Sequence, residues 1–185
     1  MGTAGIVVLV ILGVLVLWFV AGYNSLVRLR NNVRNAWAQI DVQLKRRHDL
    51  IPNLVEVVKD YMGYEQEVLQ NVTKARSVAV AARGPAEAAA AEAGLTRALA
   101  GLYAVMENYP DLKANQNVAQ LQEELTSTEN KIAFARQYYN DSVMAYNTKT
   151  ETIPTNIIAG LAGFKREEFF SAPEEEKAVP KVDLR

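Results

Sequence analysis

The stretch LKRRHDLIPNL, residues 44–54, holds the side chains best suited to chemistry in this sequence. Lys45, Arg46 and Arg47 precede His48, which is the only histidine among the 185 residues. One imidazole cannot form a paired-histidine metal site or a His-Glu-x-x-His helix within one chain. We therefore expect no catalytic, metal or cofactor site here. KRRHD is either a surface that binds a partner or a solvated helix face.

Pro52 lies in the same stretch. Proline inside a helix removes a backbone donor and clashes with the carbonyl four residues earlier, at a cost of about 3 kcal/mol. We expect the helix to bend or end there, with His48 and Asp49 hydrogen-bonded to backbone or to each other and Lys45–Arg47 left for solvent or a partner. Gly63 is the alternative break, because glycine costs about 1 kcal/mol in a helix.

The composition excludes several other kinds of site. The 20 basic and 21 acidic side chains nearly balance, so the total charge gives no reason to expect nucleic acid as a partner. The absence of cysteine excludes disulfides and thiolate chemistry. No glycine-rich phosphate loop follows a strand pattern. An unfamiliar enzyme would need carboxylates such as Glu56 and Glu124 to converge in the core.

The amino-terminal segment predicts a membrane anchor, residues 1–23. No charged side chain occurs before Arg28, and residues 4–23 would form about 30 Å of apolar helix, enough to span a bilayer. The segment lacks the basic start of a cleaved signal peptide. Because Arg28, Arg30 and Arg34 follow the span, we expect the amino terminus outside and the rest in the cytoplasm, at a bacterial inner membrane. Trp18 and Tyr23 would lie toward the cytoplasmic interface.

Apolar residues recur every three or four positions through residues 24–150, which predicts an all-α fold: one transmembrane helix followed by an antiparallel bundle of long helices, four in number. Further turns are expected at Gly84-Pro85 and around Pro110. If neither Pro52 nor Gly63 broke the chain, the count would fall to three. The seam is carried by Leu26, Leu29, Val33, Trp37, Ile40, Leu44, Ile51, Leu54, Val58, Tyr61, Val118, Leu121, Leu125, Thr128, Ile132, Ala135, Tyr139, Ser142 and Tyr146.

Residues 151–170 form a short apolar segment that an even number of helices would return to the membrane. It would lie either in the bilayer interface or as a cap over the open end of the bundle. The expected interface residues are Ile153, Ile157, Ile158, Leu161 and Phe164. Residues 171–185 form an acidic tail with the composition of a disordered end. We expect its carboxylates to meet Arg28, Arg30 or Arg34 of a second copy; they are Glu174, Glu175 and Glu176.

Four segments of the sequence resemble the LemA family: YNSLV (23–27), AWAQIDVQLKRRHDLIPNLVEVVKDY (36–61), ENYPDLKANQNVAQLQEELTSTENKIAFARQYYND (107–141) and YNTKTETIPTNIIAGLAGFK (146–165). The resemblance implies a bacterial envelope protein with one amino-terminal membrane helix and a cytoplasmic helical bundle, and it suggests a TPM-domain membrane protein as a partner. It supplies an architecture without a mechanism. The expected function is a non-enzymatic, self-associating scaffold or interaction protein in contact with membrane lipid; the alternative is a protein that remodels or organises the membrane.

Overall fold

The computed structural model describes residues 2–171, and every regular element in that range is helical. The all-α prediction is confirmed. The expected contacts of Glu174–Glu176 lie outside the described residues. The helices of the described range are α1 (Thr3–Lys59), α2 (Gln66–Ala81), α3 (Gly84–Met106), α4 (Pro110–Ala114), α5 (Gln116–Glu151) and α6 (Thr155–Ala162).

The first break in the chain is at Gly63. α1 continues through Pro52 to Lys59, and the chain turns over residues 60–65 before α2 begins. Of the two expected breaks, the chain therefore uses the alternative at Gly63, and α1 does not end at Pro52. The backbone gives a physical reason: the carbonyl that Pro52 deprives of a donor, that of His48, accepts a hydrogen bond from Arg76 Nε at 2.6 Å.

The other turns follow the sequence signals. α3 begins at Gly84, which has a positive φ of 76°, and Pro85 occupies the first turn, where its missing N–H is not needed. The Glu87 carboxylate accepts a hydrogen bond from the Arg83 backbone N–H at 2.9 Å. α6 ends at Gly163, whose φ of 70° gives a left-handed helix cap.

The chain divides into two compact units, and α1 and α5 contribute to both. The larger unit, residues 37–137 and 169–171, is a four-helix bundle formed by α1, α2, α3 and α5. Its α1 and α5 run antiparallel, because Arg46 meets Glu124 whereas Tyr61, just after α1, meets Asn115 just before α5. The core side chains are Ile51, Leu54, Val58, Met62, Leu69, Val72, Ala79, Leu95, Leu99, Leu102, Met106, Leu112, Val118 and Leu125.

The smaller unit comprises residues 2–36 and 138–168. It contains the amino-terminal part of α1, the end of α5, α6 and an irregular segment, residues 163–168, that we call the strap. Its apolar cluster is formed by Leu26, Ile158 and Ala159, with Phe164 packed against it. From Ile6 to Val20, by contrast, the large apolar side chains of α1 are all exposed.

Candidate functional site

The exposed amino-terminal part of α1 is long and apolar enough to cross a membrane. The protein buries none of the most apolar 18-residue stretch of this helix. A core helix of a soluble protein would be mostly buried over such a stretch. Because this stretch is exposed on every face, we infer that lipid surrounds it. Trp18 and Phe19, near the end of this segment, are 38% and 39% exposed.

α6 packs against α1 at the end of the apolar segment. Ile158 and Ala159 are buried against Leu26, and the terminal methyl group of Ile158 occupies the space where Gly22 lacks a side chain. The Phe164 ring meets Tyr23 edge-on, with 5.6 Å between ring centroids. We call this contact region the collar: residues 22–30 of α1, α6 and the strap.

The opposite side of α6 exposes large apolar side chains. Ile157 and Leu161 are 57% and 77% exposed, and Ile153, two residues before α6, is 78% exposed. Contact of these three side chains with a membrane stays a prediction. The same prediction for Ile158 is wrong, because its side chain is fully buried in the gap beside Gly22. Phe164 is half-buried, and the Arg30 guanidinium lies 4.9 Å from its ring centroid, a cation–π distance.

Side chains of α5 hold the strap in place. Tyr139 and Tyr146 donate hydroxyl hydrogen bonds to the carbonyls of Glu168 and Lys165 at 2.7 and 2.9 Å. The Asn147 amide donates to the Glu167 carbonyl and accepts from the Glu167 N–H, both at 2.9 Å. The sequence predicted Tyr139 and Tyr146 only as members of a packing seam and gave no role to Asn147, because periodicity does not indicate what a hydroxyl or amide will bind.

Burial raises the pKa of both tyrosines. For Tyr139 the loss of water, reinforced by the nearby Glu167 and Glu168 carboxylates, raises the pKa to about 12. For Tyr146 burial and Glu167 raise the pKa, while Arg30 and Arg34 act in the opposite direction. Both hydroxyls therefore stay protonated and able to donate to the strap at neutral pH.

The cations of the smaller unit are mostly exposed. Arg28 and Arg34 face solvent, whereas Arg30 is partly covered by its contact with Phe164. On the carboxyl side of α6, Lys165 is exposed and Arg166 forms an exposed ion pair with Glu151 at 3.0 Å. Arg28 and Arg34 are therefore accessible to partners, and such partners stay a prediction.

A buried ion cluster occupies the larger unit. The Arg47 guanidinium donates to Glu92 at 3.1 Å, to the Thr96 hydroxyl at 2.9 Å and to Glu129 at 2.8 Å. The other oxygen of Glu92 lies 2.5 Å from His48 Nε2. Arg47, His48 and Glu92 are 3%, 8% and 6% exposed. Burial is tolerated because every charge has a partner.

This cluster corrects two expectations. Arg47 is not left for solvent or a partner, and the His48 ring pairs with Glu92 and not with backbone or Asp49. Glu129, which is half exposed, is a further partner of Arg47. The reason is that Arg47 and His48 share the inward face of α1 with Leu44 and Ile51. Lys45 and Arg46 point outward as predicted, with Arg46 3.4 Å from Glu124.

The chemistry available to the cluster is limited by its own pairing. A cleft of about 310 Å³ borders Arg47, Glu92 and Glu129, but the Arg47 guanidinium is already paired with both carboxylates. Desolvation raises the pKa of the neighbouring Tyr103, with Arg47 opposing the shift. Glu56 is exposed, so it does not converge with Glu124 in the core. Among residues 2–171 no three His, Asp or Glu side chains form a group that could hold a metal.

Comparison with known proteins agrees with this architecture. The fold and the exposed apolar helix define a helical protein with one segment able to cross a membrane. The LemA family profile matches residues 36–184, and the chain belongs to the LemA family. Protein LemA of Metamycoplasma hominis is 28% identical over 179 residues, which cover 94% of this chain and 80% of the relative.

Magnetosome proteins of two further bacteria are also similar. MamQ 2 of Paramagnetospirillum magneticum is 26% identical over 174 residues, which cover 80% of this chain and 64% of the relative. MamQ of Magnetospirillum gryphiswaldense is 25% identical over the same length and the same shares. The chain therefore spans about 64% of the length of these magnetosome relatives.

Proposed function

We propose that this protein is a single-pass membrane scaffold without catalytic activity, with its amino terminus outside the inner membrane and its bundle in the cytoplasm. One observation carries the proposal: the exposed apolar segment and the inward-facing bundle residues belong to one uninterrupted helix, α1, of 57 residues. A helix that is apolar on all sides at one end and amphipathic beyond it suits an anchor that holds a folded domain at a membrane.

Alkaline carbonate extraction tests the anchor. We expect the wild-type protein to stay with the membrane pellet, and Leu9→Arg combined with Leu12→Arg to weaken retention, because each arginine at the centre of a span costs about 2.5–3.5 kcal/mol on insertion scales. The matched control is Val42→Arg, which replaces an exposed apolar residue of the same helix in the bundle. Release of intact wild-type protein into the supernatant would contradict the proposal.

The scaffold role includes self-association. Arg28 and Arg34 are exposed and can pair with carboxylates of a second copy, and Glu174–Glu176 supply three of them in sequence. We expect the detergent-solubilised wild type to exceed the monomer mass, and truncation after Ser171 to lower that mass. The triple change Glu174→Gln, Glu175→Gln and Glu176→Gln should act in the same direction. A wild type that is monomeric would reject self-association.

Binding to a TPM-domain membrane protein, implied by the family resemblance, belongs to the same role. Co-purification of the two full-length proteins from one membrane, compared with a Lys45→Glu and Arg46→Glu variant, tests whether the exposed part of KRRHD takes part. Equal recovery of the partner with wild type and variant would remove these two residues from the interface.

A second candidate function is organisation of the bilayer itself. The observation that favours it is the exposed apolar face of α6 beside the end of the apolar segment. Purified protein reconstituted into liposomes should then alter their shape or cluster them, as seen by electron cryomicroscopy. Liposomes that keep their shape at high protein density would count against this function.

A further inference from the structure

We propose that α6 is inserted in the membrane, with Ile153, Ile157 and Leu161 buried in the headgroup and acyl-chain boundary of the leaflet through which α1 leaves the bilayer. The ligand of this face is the phospholipid surface. The inference rests on the proposed anchor, and it adds a second membrane contact that lies more than 120 residues later in the sequence.

The first argument is depth. α6 is fixed to α1 at Gly22 and Leu26, and its following aromatic residue, Phe164, meets Tyr23. The first cation after the apolar segment, Arg28, comes six residues after Gly22, or about 9 Å along a helix. The docking site of α6 therefore coincides with the last turns of the span, where interfacial helices bury their apolar faces about 5–10 Å deep.

The second argument is composition. Residues 153–164, IPTNIIAGLAGF, contain no charged side chain, and charges resume directly at Lys165 and Arg166. The inner face of α6 already packs against Leu26. Packing within the smaller unit therefore does not explain why the outer face is apolar as well. Phe134 is a useful contrast: it is also 75% exposed, but the same face of α5 carries the exposed charges of Lys131, three residues earlier, and Asp141, seven residues later.

The third argument is the position of the first cations along the chain. Arg28 follows the uncharged stretch of α1, Lys165 follows the uncharged stretch 153–164, and both are exposed. Side chains of this kind extend toward lipid headgroups while their stems lie along apolar surface. Two uncharged stretches that each end at an exposed cation fit an anionic phospholipid leaflet.

Single-cysteine labelling tests the inference in the full-length protein, because the native sequence has no cysteine. Ile157→Cys and Leu161→Cys place a nitroxide spin label on the outer face, Leu12→Cys places one in the apolar segment, and Phe134→Cys places one on the bundle. Each variant is reconstituted in vesicles of phosphatidylcholine and phosphatidylglycerol. Power-saturation spectroscopy then compares the access of oxygen with that of a water-soluble nickel chelate.

We expect labels at 157 and 161 to resemble the label at 12, with oxygen access exceeding nickel access, and the label at 134 to show the reverse. If labels at 157 and 161 resemble the label at 134 while the label at 12 is in lipid, the inference is wrong and the anchor stands. If the label at 12 is also in water, the proposed function fails as well.

A second copy of the chain is the alternative cover for this face. Dilution of the spin-labelled Ile157→Cys protein with unlabelled protein distinguishes the two. Spectra that narrow on dilution, together with efficient disulfide cross-linking at 157, would place the face between copies and overturn the inference. Spectra independent of dilution, with the label still shielded from nickel, support lipid. Unchanged helical circular dichroism confirms that each variant is folded.

Discussion

Two consecutive arginines of α1 show how strongly burial changes the contribution of an ion pair to the stability of the fold. Arg46 and Arg47 each pair with a glutamate, but Arg46 and Glu124 keep 54% and 37% of their side-chain surface exposed, whereas Arg47 and Glu92 keep 4% and 8%. Exposed pairs contribute little, while removal of one partner from a buried pair leaves an uncompensated charge without water.

We expect Glu92→Gln to lower the free energy of unfolding by about 3 kcal/mol, near the lower end of the range for broken buried pairs because Glu129 still neutralises Arg47. Glu124→Gln is the matched control and should cost under about 1 kcal/mol. Urea unfolding in detergent, followed by circular dichroism, measures both. Equal losses would show that the cluster is solvated in practice.

Pro52 and Arg76 are coupled through one carbonyl. Because Pro52 has no N–H, the His48 carbonyl lacks its helical donor and accepts Arg76 Nε in its place. We expect Arg76→Met to destabilise the bundle by about 1.5–3 kcal/mol, the range for hydrogen bonds to charged groups. In a Pro52→Ala background the new N–H replaces the lost donor, so the same change should cost less. A double-mutant cycle with no coupling would contradict this account.

The raised pKa of Tyr139 predicts that the free energy of unfolding depends on pH above neutrality. Its pKa is raised from 10 to about 12 in the folded protein, and the protonated hydroxyl donates to the Glu168 carbonyl. Its contribution to stability is therefore complete below pH 10 and is lost as the pH rises from 10 toward 12. The stability difference between wild type and Tyr139→Phe, about 1 kcal/mol at about pH 9, should shrink by about pH 11.5.

Tyr64→Phe controls for this experiment, because Tyr64 is 99% exposed and its hydroxyl contacts water in both the folded and the unfolded chain. Urea midpoints at the lower and the higher pH are measured for all three proteins. A difference between wild type and Tyr139→Phe that stays constant over this range would show that Tyr139 ionises no later in the folded protein than in the unfolded one.

At the scale of the elements, the attachment of α6 depends on the absence of a side chain at Gly22. Leucine there would occupy the space of the Ile158 terminal methyl group and push α6 away. Gly13→Leu is the matched control, since nothing lies within 4 Å of a β-carbon at Gly13. Both changes improve helix propensity equally, so they differ only in the clash.

We expect Gly22→Leu to accelerate tryptic cleavage at Lys165 and Arg166 about tenfold, because overpacking costs about 1–3 kcal/mol and cleavage follows the population of the open form. Mass spectrometry of timed digests in detergent identifies the bonds cut. Gly13→Leu should match wild type. Equal rates for Gly22→Leu and wild type would mean that α6 is not held by this contact.

Sequence periodicity predicted the helices well because each long helix buries one continuous stripe. Ile40, Ile51 and Val58 of α1 and Val118 and Leu125 of α5 are all buried, as their spacing requires. It could not decide between a break at Pro52 and one at Gly63, because the rule that proline ends a helix assumes that no other donor reaches the freed carbonyl. Arg76 lies on α2, the next helix of the chain, and no local pattern indicates that it will supply this donor.

The site was harder to predict than the helices, because its contacts join distant parts of the sequence. Arg47 and His48 have the pattern of surface charge until Glu92, one acid within an alanine-rich stretch, is placed beside them. Likewise, the apolar residues of the α6 region were predicted for one interface, but only the fold shows that Ile158 faces Leu26 while Ile157 and Leu161 face outward.

For the whole molecule, the distribution of charge predicts which side of the membrane holds the bundle. Arg28, Arg30 and Arg34 follow the apolar segment, so the positive-inside rule predicts a cytoplasmic bundle. Gly2→Cys and Tyr64→Cys report the two sides, since residue 2 is exposed and Tyr64 is 99% exposed.

We expect a membrane-impermeant maleimide to label the Gly2→Cys protein in intact spheroplasts, and to label the Tyr64→Cys protein only after the membrane is permeabilised. The reverse pattern would contradict the orientation. Removing exposed cations with Arg28→Gln and Arg34→Gln, and adding one before the span with Thr3→Lys, should raise the fraction of the Tyr64→Cys protein that is labelled from outside. Arg30 is retained in this variant because it packs on Phe164, so the change alters the charge difference across the span and leaves the collar contacts in place.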